Sequence, residues 1–242
     1  MSERVLIVNA DDFGRSTGVN QGVIRTHEQG IVTSATLMVR WPAAEEAAAY
    51  ARRSKLSVGL HLDLGEWEYR GGEWHQRYEV LEAQTQSSVA DEIARQLERF
   101  ERLMQRPPTH LDSHQHVHRE QPVRSALARV GERLGVPVRD LTPGIVYSGA
   151  FFGQDGKGTP TPEAISVDAL VRIIESLPPG ITELACHPAD PTDHDTSYDL
   201  ERPREVASLC DPRVRSAIDR CGVALRSFAD LATAGSAPVA SL

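Results

Sequence analysis

Short apolar runs along the chain alternate with longer stretches in which apolar residues recur every three or four positions. Val5 to Val8 is an unbroken apolar run, the pattern of a strand buried on both faces. The same reading predicts strands over Thr33 to Val39, Leu56 to Leu62, Thr109 to Asp112, Val136 to Asp140, Ile181 to Cys186 and Val223 to Phe228. Helical periodicity predicts helices over Ser16 to Gln29, Ala43 to Arg53, Ser88 to Met104, Gln121 to Leu134, Val167 to Leu177 and Val214 to Cys221. Gly30 supplies the stop for the first helix, and Val89, Ile93, Leu97, Phe100 and Met104 share one face of the longest. Strand and helix in strict alternation require parallel strands covered by helices. About seven such units make an α/β fold that is (β/α) barrel-like and TIM-barrel-related. Two stretches, Gly65 to Tyr78 and Leu141 to Ala164, break the pattern and read as long functional loops. No repeat or linker divides the chain, so residues 1–242 are expected to form one domain, with an Ala/Gly/Ser/Pro-rich tail over 232–242 that frays.

Composition narrows the partners. Apolar residues make up 40% of the chain and charged residues 25%, and the formal net charge is −8. An acidic surface disfavours nucleic acid and anionic membranes, whose recognition depends on positive charge. No apolar stretch approaches the ~20 residues of a membrane-spanning helix, and Val5 to Val8 is too short for a signal core. Cys186, Cys210 and Cys221 form no CxxC pair, so free thiols in a reducing, cytoplasmic setting are expected. A homodimer is the working expectation for assembly.

The chemistry lies at strand ends. Polar clusters follow four of the apolar runs directly: Asn9-Ala10-Asp11-Asp12, His61-Leu62-Asp63, Asp112-Ser113-His114-Gln115-His116-Val117-His118, and Cys186-His187-Pro188. In parallel barrels the C-terminal ends of the strands converge on one mouth, which carries the catalytic groups. Adjacent Asp11 and Asp12 can divide their work, one binding a cation and the other accepting a proton; a turn or helix-capping role for one of them is the plain alternative. His61 is a candidate ligand. Asp112, His114, His116 and His118 are spaced by two, and an extended segment would put them on one side. His114 is the first choice as ligand, with Asp112 or His116 orienting it and His118 as bystander. His187 suits a general acid or an oxyanion-stabilising group, against a structural role. One carboxylate with two imidazoles suits Zn²⁺ carrying a catalytic water, or the Fe(II) of oxygenases; an all-oxygen Mg²⁺ site is less natural.

At these residues the chain resembles the YdjC-like carbohydrate deacetylases, which include chitooligosaccharide deacetylases and hopanoid-associated HpnK-type proteins. The resemblance rests on Asn9 to Gly14 (NADDFG), Gly30 to Ser34, Gly59 to Leu62, His110 to His118 and Cys186 to Pro188, in family order. It implies a barrel-like fold, a divalent metal that family members often hold as Mg²⁺, and hydrolysis of an N-acetyl group on an amino sugar or N-acetylated glycan. It implies Asp12, His61 and His114 as metal ligands, Asp11 as general base and His187 as a catalytic acid. The chain departs from the family at Arg40, where Asn is common, and at a loop holding Trp67, Tyr69 and Trp74; both places are expected to touch the sugar. Rival readings of the same Asp/His/His set are a metal-dependent sugar isomerase, an Fe(II) oxygenase, whose usual all-β scaffold the alternation opposes, and a non-catalytic sugar binder, for which a spare carboxylate has no use.

Overall fold

The computed structural model describes residues 3–193 and 196–234. Its elements, in chain order, are β1 (Arg4–Phe13), α1 (Thr17–Gln29), β2 (Ser34–Leu37), α2 (Ala44–Ala51), β3 (Ser57–Leu62), β4 (Gly65–Arg70), β5 (Glu73–Glu79) and α3 (Gln86–Met104). They continue with β6 (Leu111–Ser113), α4 (Val123–Leu134), β7 (Ile145–Ser148), α5 (Val167–Glu175), β8 (Gly180–Cys186), α6 (Arg202–Leu209), α7 (Pro212–Arg220), β9 (Ala224–Leu225) and α8 (Phe228–Ala234).

Seven strands form one curled sheet in the order β6-β3-β2-β1-β8-β7, with β9 added beside β1. Every pairing in it is parallel. The barrel-like α/β fold expected from the alternation is therefore the observed one. β1 lies at the centre, and from Leu6 onward all of it is buried, which is why its first half must be continuously apolar. One edge of β1 serves two neighbours: β9 pairs at Val5 and Leu6, and β2 takes over from Asn9. The helices seal the outside of the curl. Ser16 caps α1 by accepting the Val19 N–H at 3.2 Å. Thr85 and Ser88 form a capping box on α3, whose apolar stripe is buried as the periodicity predicts.

Several expectations change. Of the strand expected over Val223 to Phe228 only Ala224–Leu225 pair, as β9, and Phe228 opens α8. The segment 136–140 does not form a full strand; it makes a single parallel bridge, Val138 to Leu111, at the β6 edge. Gly65 to Tyr78 is not a loop but an antiparallel hairpin, β4-β5, closed by Gly71 and Gly72 at φ 65° and 93°. Within Leu141 to Ala164, Ile145–Ser148 pairs with β8 as β7. Of the expected frayed tail, residues 232–234 close α8 and 235–242 lie outside the described residues.

Gly59 in β3 shows why one motif residue is what it is. A Cβ there would meet the His110 carbonyl oxygen at 2.5 Å and its ring at 2.8 Å. His110 in turn stacks on Phe228 with ring centres 3.8 Å apart and cannot retreat. Gly59→Ala should therefore cost about 1–3 kcal/mol by overpacking, read as a lower urea midpoint. Gly156→Ala, where a Cβ meets nothing within 4 Å, is the control and should stay within about 0.5 kcal/mol of the parent. Equal stability of the two variants would contradict the packing account.

Candidate active site

The strand ends deliver their polar residues to one cavity of about 460 Å³. Asp11, Asp12, His61, His114 and His187 all line it. Neighbouring residues on a strand normally face opposite ways, so two adjacent aspartates need a device to share a cavity. Between Ala10 and Phe13 the register of β1 against β2 slips, and Asp12 takes φ 64°. This bulge turns both carboxylates inward, at a backbone cost of about 1–2 kcal/mol for a residue with a Cβ. Ser16, not Asp12, caps the following helix.

Three donors converge beside that bend. Asp12 Oδ1 lies 3.1 Å from His114 Nδ1 and 3.5 Å from His61 Nε2. The three ligand atoms of Asp12, His61 and His114 fall within 4.8 Å of one another. Asp12 Oδ1 is buried and has no well-formed hydrogen bond. A buried carboxylate oxygen left without a partner and facing two imidazole nitrogens is what a divalent cation would satisfy, so these residues fit such an ion. The other oxygen, Oδ2, accepts from Arg202 at 2.7 Å. Burial pushes the Asp12 carboxyl up, but Arg202 and His114 more than offset it and hold it well below the usual range.

The imidazoles are set from behind. His61 Nδ1 is 2.6 Å from Asp112 Oδ1, which leaves Nε2 facing Asp12. Asp112 thus orients His61, not His114 as expected. Burial alone would lower the His61 pKa, yet Asp112 raises it to about 10. His114 has Nε2 at 3.3 Å from Arg15 and 3.7 Å from Glu66, and Arg15 pairs with Glu66. Its pKa is also raised, Asp12 overcoming the effect of burial.

Asp11 belongs to a different network. Arg139 donates to it through both terminal nitrogens, each at 2.7 Å. The same guanidinium reaches Asp112 at 2.8 Å and Glu183 at 2.7 Å. Burial raises the Asp11 pKa, but Arg139, with His61 and His187, holds it far below the ordinary carboxylate range. Asn9 fixes its rotamer with a 2.9 Å bond to Oδ1. His187 Nε2 stands 3.8 Å from Asp11 Oδ2. Its imidazole is pushed down to about 4, chiefly by burial.

The rest of the His-rich segment departs from expectation. Residues His114–Arg119 coil as a 3-10 turn, with Gln115 and His116 at φ 51° and 56°. Alternation along an extended strand therefore does not apply. His116 faces Tyr147, and His118 turns inward to Ser113. Arg40, expected near the sugar, is tied elsewhere, to Asp63 and Glu92, and the adjacent Trp41 donates to Asp63. Trp67, Tyr69 and Trp74 do line the cavity. The β4-β5 register puts them on one face of the hairpin, Tyr69 opposite Trp74. Gln115 clamps that hairpin with two hydrogen bonds to the Trp67 backbone, at 2.9 and 2.6 Å.

Sequence pattern does not mark Arg139, Arg202, Arg15 or Glu66 as site residues. Arg139 has one cue, since Val136-Pro-Val-Arg-Asp140 repeats the pattern of apolar run then charge. Arg202 reaches the site from α6 and has none.

Known proteins resemble this chain in sequence and in fold. A carbohydrate deacetylase from Geobacillus stearothermophilus is 35% identical over 93% of this chain and 97% of its own. A chitooligosaccharide deacetylase from Serratia marcescens is 34% identical over 95% of this chain and all of its own. A crystal structure from Enterococcus faecalis V583, provisionally named a cellobiose-phosphate cleavage protein, superposes with TM-score 0.74 at 25% identity, covering 95% of this chain and 99% of that one. A family 4 carbohydrate esterase from Streptomyces lividans, solved with acetate, shares the fold at TM-score 0.56 and 14% identity, over 93% of this chain and 92% of that one. The sequence model of the YdjC-like protein family matches residues 5–220, and the chain belongs to that family.

Proposed function

We propose that the protein is a divalent-metal-dependent carbohydrate deacetylase that hydrolyses the N-acetyl group of an amino sugar or N-acetylated glycan. The observation that carries this reading is the convergence of Asp12 Oδ1, His61 and His114 on one buried spot, with a second, ionised carboxylate on Asp11 beside it. The names of the Geobacillus and Serratia relatives support the substrate class. The aromatic face of Trp67, Tyr69 and Trp74 supports it too, because sugar rings stack on exposed aromatics. Three unpaired cysteines suit a reducing, cytoplasmic setting.

Asp12, His61 and His114 would hold the ion. A divalent cation there supplies Lewis acidity toward the acetyl carbonyl and brings the pKa of a water to about 7. The two imidazoles favour Zn²⁺ or a similar borderline ion over Mg²⁺. Asp11 takes a proton from the attacking water. Arg139 keeps that carboxylate charged and aimed, at the expense of its intrinsic basicity. His187 is neutral near pH 7, so it cannot begin as an acid. It receives the proton across the 3.8 Å gap from Asp11 and passes it to the departing nitrogen. The amide C–N bond breaks, and acetate and a free amine leave. An isomerase or an oxygenase would release no acetate.

Acetate release from N-acetylglucosamine, chitobiose and longer N-acetylated glycans tests the reading, with Zn²⁺, Co²⁺, Mn²⁺ or Mg²⁺ restored after chelation. Asp11→Asn should lower turnover by about 10²–10⁴-fold with its metal content intact, whereas His114→Ala should lose both. Near-normal turnover in Asp11→Asn would remove Asp11 as base, and silence on every glycan with every ion would remove the deacetylase reading. Restoration by Mg²⁺ alone would refute the argument from ligand type.

The raised pKa values of His61 and His114 give a second prediction. Without an ion the His61 imidazole, raised to about 10, holds a proton that a cation must displace, and His114 is shifted in the same direction. Cation affinity should therefore rise from roughly pH 6 to pH 8, with protons released on binding. Calorimetry in two buffers of different ionisation enthalpy reads this directly; an affinity flat across that range with no proton release would contradict it.

A further inference from the structure

A second cluster of donors lies beside the same cavity, outside the Asp12 set. His116, His118 and Asp140 each offer a ligand atom within 4.8 Å of the others. The free nitrogens are His116 Nδ1 and His118 Nε2. Both are buried, and neither makes a hydrogen bond. Their opposite nitrogens are held: His116 Nε2 is 3.1 Å from the Tyr147 hydroxyl, and His118 Nδ1 is 2.7 Å from Ser113 Oγ. Ser113 Oγ is itself fixed, accepting the His118 backbone N–H at 3.0 Å. Imidazoles that bind metals are arranged this way, one nitrogen tethered and the other presenting its lone pair. The carboxylate is in reach, with Asp140 Oδ2 3.5 Å from His118 Nε2.

The plain alternative is a buried aromatic-polar patch. His116 and His118 do meet edge to face at 5.6 Å, and His116 meets Tyr147 at 5.1 Å. That packing leaves two buried ring nitrogens without a hydrogen bond, which is unfavourable. An ion removes both penalties at once. Arg119 donates to Asp140 Oδ2 at 2.8 Å, and its charge weighs against a cation. Arg139 weighs less, because Asp11 and Asp112 already neutralise it. With two imidazoles and one shared carboxylate, hard cations such as Mg²⁺ are poorly served.

We propose that His116, His118 and Asp140 form a second site for a borderline transition ion such as Zn²⁺ or Co²⁺, weaker than the Asp12 site and separate from it. An ion there would tie the coiled segment after β6 to the residue that follows Arg139. The proposal does not depend on the deacetylase reading, and its test uses no substrate.

The full-length chain is stripped with chelator, loaded with Zn²⁺ or Co²⁺, desalted, and its metal content measured. The wild type should retain about two equivalents and Asp12→Ala/His61→Ala about one, in a site with three protein ligands. Co²⁺ in that double variant should give the visible absorption of an imidazole-ligated ion. Adding His118→Gln should abolish both metal and absorption. If His118→Gln fails to fold, Asp140→Asn, at the more exposed end of the cluster, should still lower affinity at least tenfold. The proposal is overturned if the Asp12→Ala/His61→Ala variant retains no metal, or if neither His118→Gln nor Asp140→Asn changes what it retains.

Discussion

Arg139 is a buried guanidinium surrounded by carboxylates from three strands: Asp11 of β1, Asp112 of β6 and Glu183 of β8. It stands next to the bridge that extends the sheet at its β6 edge, and it reaches across the hollow of the curl to β8, near the opposite edge. The half-barrel is thus pinned across its interior by charge as well as along its strands by hydrogen bonds. Removing one partner of such a buried network costs about 3–5 kcal/mol, because an uncompensated charge remains. The same contacts that brace the fold keep Asp11 ionised and orient Asp112. Asp112 in turn sets His61. Structure and site therefore draw on one cation.

The remaining geometry follows from local distortions placed around that hub. The bulge at Asp12 brings the second carboxylate into the cavity, where Arg202 from the distant α6 stabilises it. The left-handed turn at Gln115 serves two purposes: it ends the extended run after His114 and lets Gln115 grip the β4-β5 hairpin. The aromatic face that borders the cavity is thereby coupled to the segment that carries His114. These are strained positions at a functional mouth, where the surrounding packing can hold them.

Six of the eight described helices and most of the buried strands are legible because burial imposes a period, as in Val89 to Met104 or the solid run of Val5 to Val8; α6 and α8 are not. The hairpin is not legible either, because β5 is mostly exposed and the alternation of β4 is built from aromatic and charged residues. Its Gly71-Gly72 turn was the available cue. The five candidate residues could be named because each follows an apolar run. Their supports could not, since a buried Arg139 or Arg202 contradicts its own composition and is explained only by partners far along the chain. The coil at His114–Arg119 was hidden for a similar reason: positive φ at Gln115 and His116 comes from tertiary contacts, not from local preference.

Arg139 keeps Asp11 charged beside the Asp12–His61–His114 set. The most direct measurement is the pH dependence of kcat for Arg139→Lys, in folded and metal-loaded protein. A lysine keeps the charge but cannot grip Asp11 through two nitrogens while also reaching Asp112 and Glu183. Arg139→Lys should show a lower kcat and an acid limb displaced to higher pH, as Asp11 returns toward an ordinary carboxylate. An unchanged kcat with an unchanged acid limb would contradict it.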